Sequence, residues 1–280
     1  MISISVIINT YNEEYNIKNA ILSVKSWVDE IIVVDMYSTD RTVEIARSCG
    51  ARIYMYENIG YADPARQFAI DQSSGEWILM LDADEMVPIQ LSRLLRKIVI
   101  DNKYDVVNIP WINYLFGNHI SYAGWGPHQD KHMRFFRRGS LYSGAEIHNF
   151  LQPVDMARIL EMSYEPGFGV VHFNYRDMDQ FINKMNRYTS IESKRINANS
   201  SFFWIRLFIH PPFEFFKRYI LRGGFRDGRD GLSLSFLMFI YRLLSYLKAF
   251  YSQSHSASND VDIEYSRIAK SITREYEKHK

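Results

Sequence analysis

The chain has 280 residues, 47% hydrophobic and 23% charged, so it is long enough to bury a sizeable core and too apolar for wholesale disorder. A formal net charge of +1 conceals an asymmetry: Met1 to Glu85 holds fourteen acidic and six basic residues, whereas Phe202 to Tyr251 holds eight basic and three acidic. The acidic part suits a site that holds a cation, the basic and aromatic part suits an anionic surface such as phospholipid, and no nucleic-acid partner is expected.

Ile4 to Ile8 is a continuous apolar run with β-branched residues, as a strand covered on both faces requires. Asn9 to Asn12 breaks it, and Glu13 to Trp27 carries a helical pattern through Ile17, Ile21 and Val24. Glu30 to Asp35 reads as a second buried strand. Ser38 or Asp40 then suits the N-cap of a helix that ends at Gly50. Ala51 to Tyr56 reads as a third strand, Ala62 to Gln72 as a helix, and Trp77 to Leu81 as a fourth strand. Strands alternating with helices at this spacing predict right-handed crossovers and a mainly parallel sheet. The ligand crevice of such a sheet lies beyond the strand carboxyl ends. Polar residues collect there: Thr10 to Glu13, Asp35, and Asp82 to Glu85. No Gly-rich loop follows the first strand, which argues against a dinucleotide fingerprint or a P-loop.

Asp82, Asp84 and Glu85 set three carboxylates at the end of the fourth strand. In extended geometry Asp82 and Asp84 point to the same side, and their oxygens suit Mg²⁺ or Mn²⁺ that keeps positions open for phosphate. The alternative is a solvated turn in which Asp84 or Glu85 caps a helix beginning near Pro88. Trp111 to Gln129 reads as a loop. Asp177 to Asn197 reads as a helix with Asp177 and Gln180 as a capping box. Leu232 to Tyr251 has the length of a membrane span, but Arg242 and Lys248 interrupt it. Aromatics interleaved with Arg206, Lys217, Arg218 and Arg222 fit helices lying in the headgroup region; the alternative is packing on the catalytic domain or a homo-oligomer contact. The tail from Ser252 to Lys280 is polar, with a short helical pattern. The single cysteine, Cys49, and the lack of a visible signal peptide agree with a cytoplasmic protein, and the aromatic and basic helices with one peripheral on the inner face of the membrane.

The segments SVIINTYNEE, EIIVVDMYSTDRTVEIA, ADPARQFAI and WILMLDADE resemble, in order and spacing, a family 2 glycosyltransferase of the GT-A fold. The later segments GWGP, DKHMRFFRRG, SGAEIHN, VVHFNY, NKMNRY and RYILRGGFRDGRDG resemble the subgroup containing lipopolysaccharide-core β-1,4-glucosyltransferases. The resemblance implies an α/β, GT-A type Rossmann-like sheet flanked by helices, with a C-terminal helical extension. It implies a catalytic domain over 1–175, with a nucleotide-binding half to residue 100 and an acceptor-side half beyond it, followed by a helical region over 176–280. The implied reaction is inverting, cation-dependent transfer from a nucleotide sugar, UDP-hexose favoured, to a lipid-linked or lipopolysaccharide glycan.

By the same resemblance Thr10, Tyr11 and Glu13 line the nucleotide pocket, Asp35 meets the base or ribose, and Arg66 meets the base or diphosphate. Asp82 lies near the ribose, Asp84 is the principal metal ligand, and His172 completes the metal shell. Inversion needs a carboxylate opposite the leaving diphosphate to accept the acceptor's proton. Asp130, ahead of MRFFRR, and Glu146, in SGAEIHN, are the two candidates, with Asp130 preferred. Relatives carry a His-Glu pair where this chain reads His148-Asn149, and asparagine is no base. Two other readings stay open: a catalytically silent membrane-associated scaffold, and a sugar-nucleotide pyrophosphorylase, against which the missing Gly-rich, Arg-containing loop argues.

Overall fold

The computed structural model describes residues 2–57, 63–142, 151–254 and 258–278. Chain contacts divide it into two compact units, Met1–Arg176 and Asp177–Lys280. The first unit runs β1 (Ile4–Thr10), α1 (Ile17–Val24), β2 (Glu30–Asp35), α2 (Thr42–Ser48), β3 (Arg52–Met55), α3 (Asp63–Gln72), β4 (Trp77–Asp82), β5 (Glu85–Met86) and α4 (Ile89–Asp101). It continues with β6 (Val106–Leu115), β7 (Asn118–His119), β8 (Lys131–Arg137), β9 (Leu141–Tyr142), β10 (Gln152–Pro153), β11 (Ile159–Glu161) and β12 (Val170–Tyr175).

The main sheet has the order β3-β2-β1-β4-β8-β6-β12-β5. The first four strands are mutually parallel, as the alternation of strands and helices requires, and β8 enters antiparallel to both β4 and β6. The sheet is therefore mixed beyond β4. Successive side chains of a strand point to opposite faces, and both faces here are covered. Val6 and Ile8 of β1 with Trp77, Leu79 and Leu81 of β4 pack against Ile17, Ile21 and Val24 of α1 and Leu91, Leu95 and Ile98 of α4. Ile7, Ile78 and Met80 face the other way, onto Ala65, Ala69 and Ile70 of α3. This two-sided burial explains why β1 and β4 read as unbroken apolar runs.

Several element boundaries differ from the sequence reading. The helix expected from Glu13 starts only at Ile17, because the Glu13 carbonyl accepts from the Asn16 and Ile17 amides in a turn. Arg41, not Ser38 or Asp40, stands at the N-cap of α2, but the Asp40 carboxylate still accepts from the Thr42 amide at 3.0 Å. Pro88 precedes α4 with no side-chain cap, so neither Asp84 nor Glu85 caps that helix. The loop expected over Trp111 to Gln129 begins later, since Trp111 to Leu115 extends β6, with Trp111 buried. The apolar positions in PWINYL are shielded on both faces, and that burial outweighs the proline.

The second unit contains α5 (Met178–Ser193), α6 (Phe203–Phe216), a π-helical turn over Lys217–Leu221, a 3₁₀ turn over Gly224–Asp227, α7 (Gly228–Ser254) and α8 (Ser258–Lys278). The Asp177 side chain caps α5 by accepting from the Gln180 amide at 2.7 Å. Phe203 and Leu207 of α6 bury against Tyr246 and Ala249 of α7. Arg242 of α7 pairs with Glu192 of α5. The opposite side of α6 leaves Trp204, Ile205, Phe208, Ile209 and Phe213 exposed. By length and composition the segment Gly224–Gln253 could cross a membrane. The tail helix, at 21 residues, is longer than the short pattern expected there.

Candidate functional site at the strand carboxyl ends

Parallel pairing aligns the ends of three neighbouring strands. Thr10 of β1 lies opposite Asp35 of β2, and Asn9 of β1 opposite Asp82 of β4. On β4 the even positions face α3, so Asp82 continues the row of Ile78 and Met80 and meets Arg66 on that helix. One Arg66 nitrogen lies 3.1 Å from each Asp82 oxygen. Arg134 of β8 reaches the same carboxylate at 3.3 Å. Burial pushes the Asp82 carboxyl up, but the two guanidiniums outweigh it and hold the group well below the usual carboxylate range. Asp82 is thus an anion fixed between two cations.

The turn after β4 carries Asp84 toward β12. Antiparallel pairing of β5 with β12 sets His172 opposite Glu85, and the Phe173 amide donates to the Asp84 carbonyl at 2.9 Å. His172 Nε2 consequently faces an Asp84 oxygen at 3.5 Å, with both side chains almost buried. Burial lowers the His172 pKa, but Asp84 foremost, with Asp82 beyond it, raises it above the ordinary histidine value. Glu85 itself is fully buried and accepts from the Asp82 amide at 2.9 Å. Its burial, and next the Asp82 charge, push its pKa up to about 8. At neutral pH it is a neutral acid packed beneath the site.

Among the described residues, no three His, Cys, Asp or Glu side chains converge tightly enough to hold a metal ion alone. The donor chemistry nonetheless fits a Mg²⁺ or Mn²⁺ ion that takes its remaining positions from a diphosphate and water. Such ions are ordinarily bound by one or two protein groups plus substrate phosphates. One carboxylate and one imidazole nitrogen, facing each other at 3.5 Å, provide that partial set. Asn9, at the same sheet edge, is buried with neither amide atom partnered among the described residues, and the Thr10 hydroxyl is likewise buried and unpartnered. Buried polar atoms left without partners are costly, and at a strand end beside a cluster of charges a polar ligand or water would satisfy them.

The remaining expected residues divide into two groups. Asp35 is fully buried and accepts from the Ser38 amide at 2.8 Å and the Ser38 hydroxyl at 2.5 Å. It closes its own turn, leaving a ligand only its further lone pairs. Glu13 accepts from the Asn16 side chain, and Tyr11 stands exposed beyond the end of β1. Asp130 lies at the other end of a polar chain: Asn113 and His132 donate to its two oxygens at 2.7 and 2.8 Å. Burial raises the Asp130 carboxyl, but these partners bring it below the ordinary range, so it is ionised at neutral pH. Glu146, with His148 and Asn149, lies outside the described residues.

Three residues with no assigned role in the sequence reading join the site. Arg134 sits inside the quoted DKHMRFFRRG segment, and an arginine in an apolar strand was the available signal. His132 packs against Trp111 in a tilted arrangement at 3.6 Å between ring centroids, and the Arg134 guanidinium lies over the same indole at 4.9 Å. Asn113, in a strand of large apolar residues, carried no signal beyond being a buried amide.

The family model described as Glycosyl transferase family 2 matches residues 5–158. An uncharacterized glycosyltransferase of Rickettsia typhi is 29% identical over 89% of this chain and 87% of its own. The lipopolysaccharide core biosynthesis glycosyltransferase LpsC of Rhizobium meliloti is 28% identical over 92% of this chain and 96% of its own. Among solved structures, a Mycobacterium tuberculosis glucosyl-3-phosphoglycerate synthase bound to Mn²⁺, UDP and phosphoglyceric acid is 26% identical. It overlaps only 40% of this chain and 43% of its own, with a TM-score of 0.35.

Proposed function

This chain belongs to glycosyl transferase family 2, and from that premise we propose that it catalyses inverting, cation-dependent transfer of a hexose from a UDP-sugar to a lipid-linked or lipopolysaccharide glycan. The observation that carries the reading is the Asp82 carboxylate, clamped by Arg66 and Arg134 next to the facing pair Asp84 and His172. Thr10, Tyr11, Glu13 and Asp35 line the nucleotide side. Arg66 and Arg134, both held by Asp82, are guanidiniums whose chemistry suits diphosphate oxygens. Asp84 and His172 would hold a divalent cation, which would supply positive charge against the leaving nucleotide.

Asp130, ionised and fixed by two donors, accepts the acceptor hydroxyl's proton. Its depressed basicity suits a late proton transfer, in which the oxocarbenium-like centre draws in the oxygen before the proton leaves. The acceptor class is supported by the Rhizobium meliloti relative's role in lipopolysaccharide core biosynthesis. A peripheral position on the inner membrane face is supported by the exposed aromatic side of α6 and the basic residues around it. The pairing of α7 with α5 through Arg242 favours that position over a span.

A thermal-shift screen of nucleotides and nucleotide sugars with Mg²⁺ and Mn²⁺, followed by donor turnover, tests the reading. UDP with either cation raises the melting temperature, since a ligand bound only to the native state stabilises it. Turnover is lost in D130N and kept in E146Q. Stabilisation by no nucleotide, or by UDP equally well with chelator, overturns the cation-dependent donor site; the reverse pattern of variants moves the base to Glu146.

A further inference from the structure

Asn113 on β6 is fully buried and uses its whole amide. Its nitrogen donates to the Trp125 carbonyl at 2.8 Å and to Asp130 Oδ2 at 2.7 Å, while its oxygen lies 2.7 Å from His172 Nδ1. The orientation of this amide is not arbitrary. Rotated by half a turn, it would set an oxygen against a carbonyl and a carboxylate, three acceptors with no hydrogen among them. The nitrogen must therefore face Asp130, and the oxygen, which can only accept, must face His172. His172 in turn must carry its proton on Nδ1, which leaves Nε2 as the atom presented to Asp84.

We infer that Asn113 is a positioning residue: a single amide sets the His172 tautomer on the cation side and aims the Asp130 carboxylate on the acceptor side. The inference rests on the proposed transferase site and adds a residue to it. Strand geometry makes the coupling rigid. His172 and Asn113 are direct neighbours in the β12–β6 ladder, and the amide of Trp111, two residues before Asn113, donates to the Asp130 carbonyl at 2.9 Å. Each bond of the chain Asp84, His172, Asn113, Asp130, His132 is anchored in a sheet strand or directly beside one. In metal sites, a partner that fixes a ligating histidine's second nitrogen is typically worth 10–100-fold in affinity or activity.

The test reads the ring nitrogens of His172 by long-range ¹H–¹⁵N NMR on the metal-free protein, at a pH where the ring is neutral, with H172Q identifying its signals. The wild-type ring is expected to be protonated at Nδ1. N113D retains an oxygen toward His172 but sets a carboxylate against Asp130; the tautomer should hold while kcat falls about 10–100-fold, with little change in donor KM. N113A frees both sides, so the tautomer shifts toward Nε2–H and donor KM rises as kcat falls. A wild-type ring protonated at Nε2, or an Nδ1 proton that persists in N113A, overturns the inference; if N113A does not fold, the wild-type and N113D spectra decide. Failure of wild-type protein to bind UDP with Mn²⁺ would instead defeat the transferase reading, and the tautomer result would stand apart from it.

Discussion

Asp82 and Asp84 are two residues apart and have the same chemistry, yet their surroundings give them different duties. Asp82 is the common partner of Arg66 and Arg134, so D82N leaves two poorly hydrated guanidiniums without their anion. Breaking a fully buried ion pair costs about 3–5 kcal/mol, and the partial exposure of Asp82 reduces this to about 1–3 kcal/mol. Among the described residues Asp84 pairs only with His172, so D84N should leave stability nearly unchanged. Both variants should lose transfer by about 10²-fold or more, the scale of removing a preorganised charge-stabilising group. Denaturant unfolding combined with turnover separates them: loss of stability in D84N but not in D82N would reverse the two roles.

At the scale of elements, two ties hold the β6–β8 part of the sheet, one at each end. Gly126 approaches the backbone so closely that an added Cβ would lie 1.8 Å from the Ser121 carbonyl oxygen, a contact no side chain tolerates. The Gly126 carbonyl also accepts from the Gln129 and Asp130 amides. G126A should therefore displace Asp130, and since a misplacement near 1 Å can cost about 10²-fold, kcat should fall by that order with UDP binding retained. Equal kcat in G126A and wild type would show that this loop does not position the carboxylate.

The second tie lies at the start of β6, where Asp105 binds Arg158 and Arg137 and so holds β11 and β8 to one strand. The Arg158 hydrogen bonds lower the Asp105 pKa to about 2, from 3.8. Because the folded value is depressed, this stabilisation is present above the unfolded value and is lost as pH falls through about 2. Arg158 is half-exposed, so solvent screening keeps the contribution small. D105N should be less stable than wild type at pH 6 and indistinguishable from it near pH 2. A gap that persists in acid would assign the effect to packing.

At the scale of the molecule, one side of α6 is left open by internal packing. Phe208 is 73% exposed, and Trp204, Ile205, Ile209 and Phe213 are each more than half-exposed. Aromatic residues of this kind, flanked by arginine and lysine, favour the headgroup region of an anionic bilayer. The double variant W204S/F208S should bind vesicles of phosphatidylglycerol and phosphatidylethanolamine far less in co-sedimentation, while turning over donor with a water-soluble acceptor as before. Undiminished vesicle binding would assign that surface to another partner.

The four parallel strands and their polar ends were legible in advance because their signals are local. A strand covered on both faces must be an apolar run, its end must be polar, and a parallel sheet collects such ends on one edge; Thr10, Asp35 and Asp82 could therefore be placed from their own neighbours in the chain. Helix starts were less legible, as at Glu13, since a turn and a first helical turn share their short-range pattern. What only the folded chain decided was the company each carboxylate keeps. Arg134 reaches Asp82 because β8 enters antiparallel beside β4, and His172 reaches Asp84 because β12 pairs with β5. Asn113 links His172 to Asp130 because β6 runs between β8 and β12. These meetings join residues from 17 to 88 positions apart, and no periodicity or composition encodes them. They follow from sheet order, which is set by the burial of whole strands.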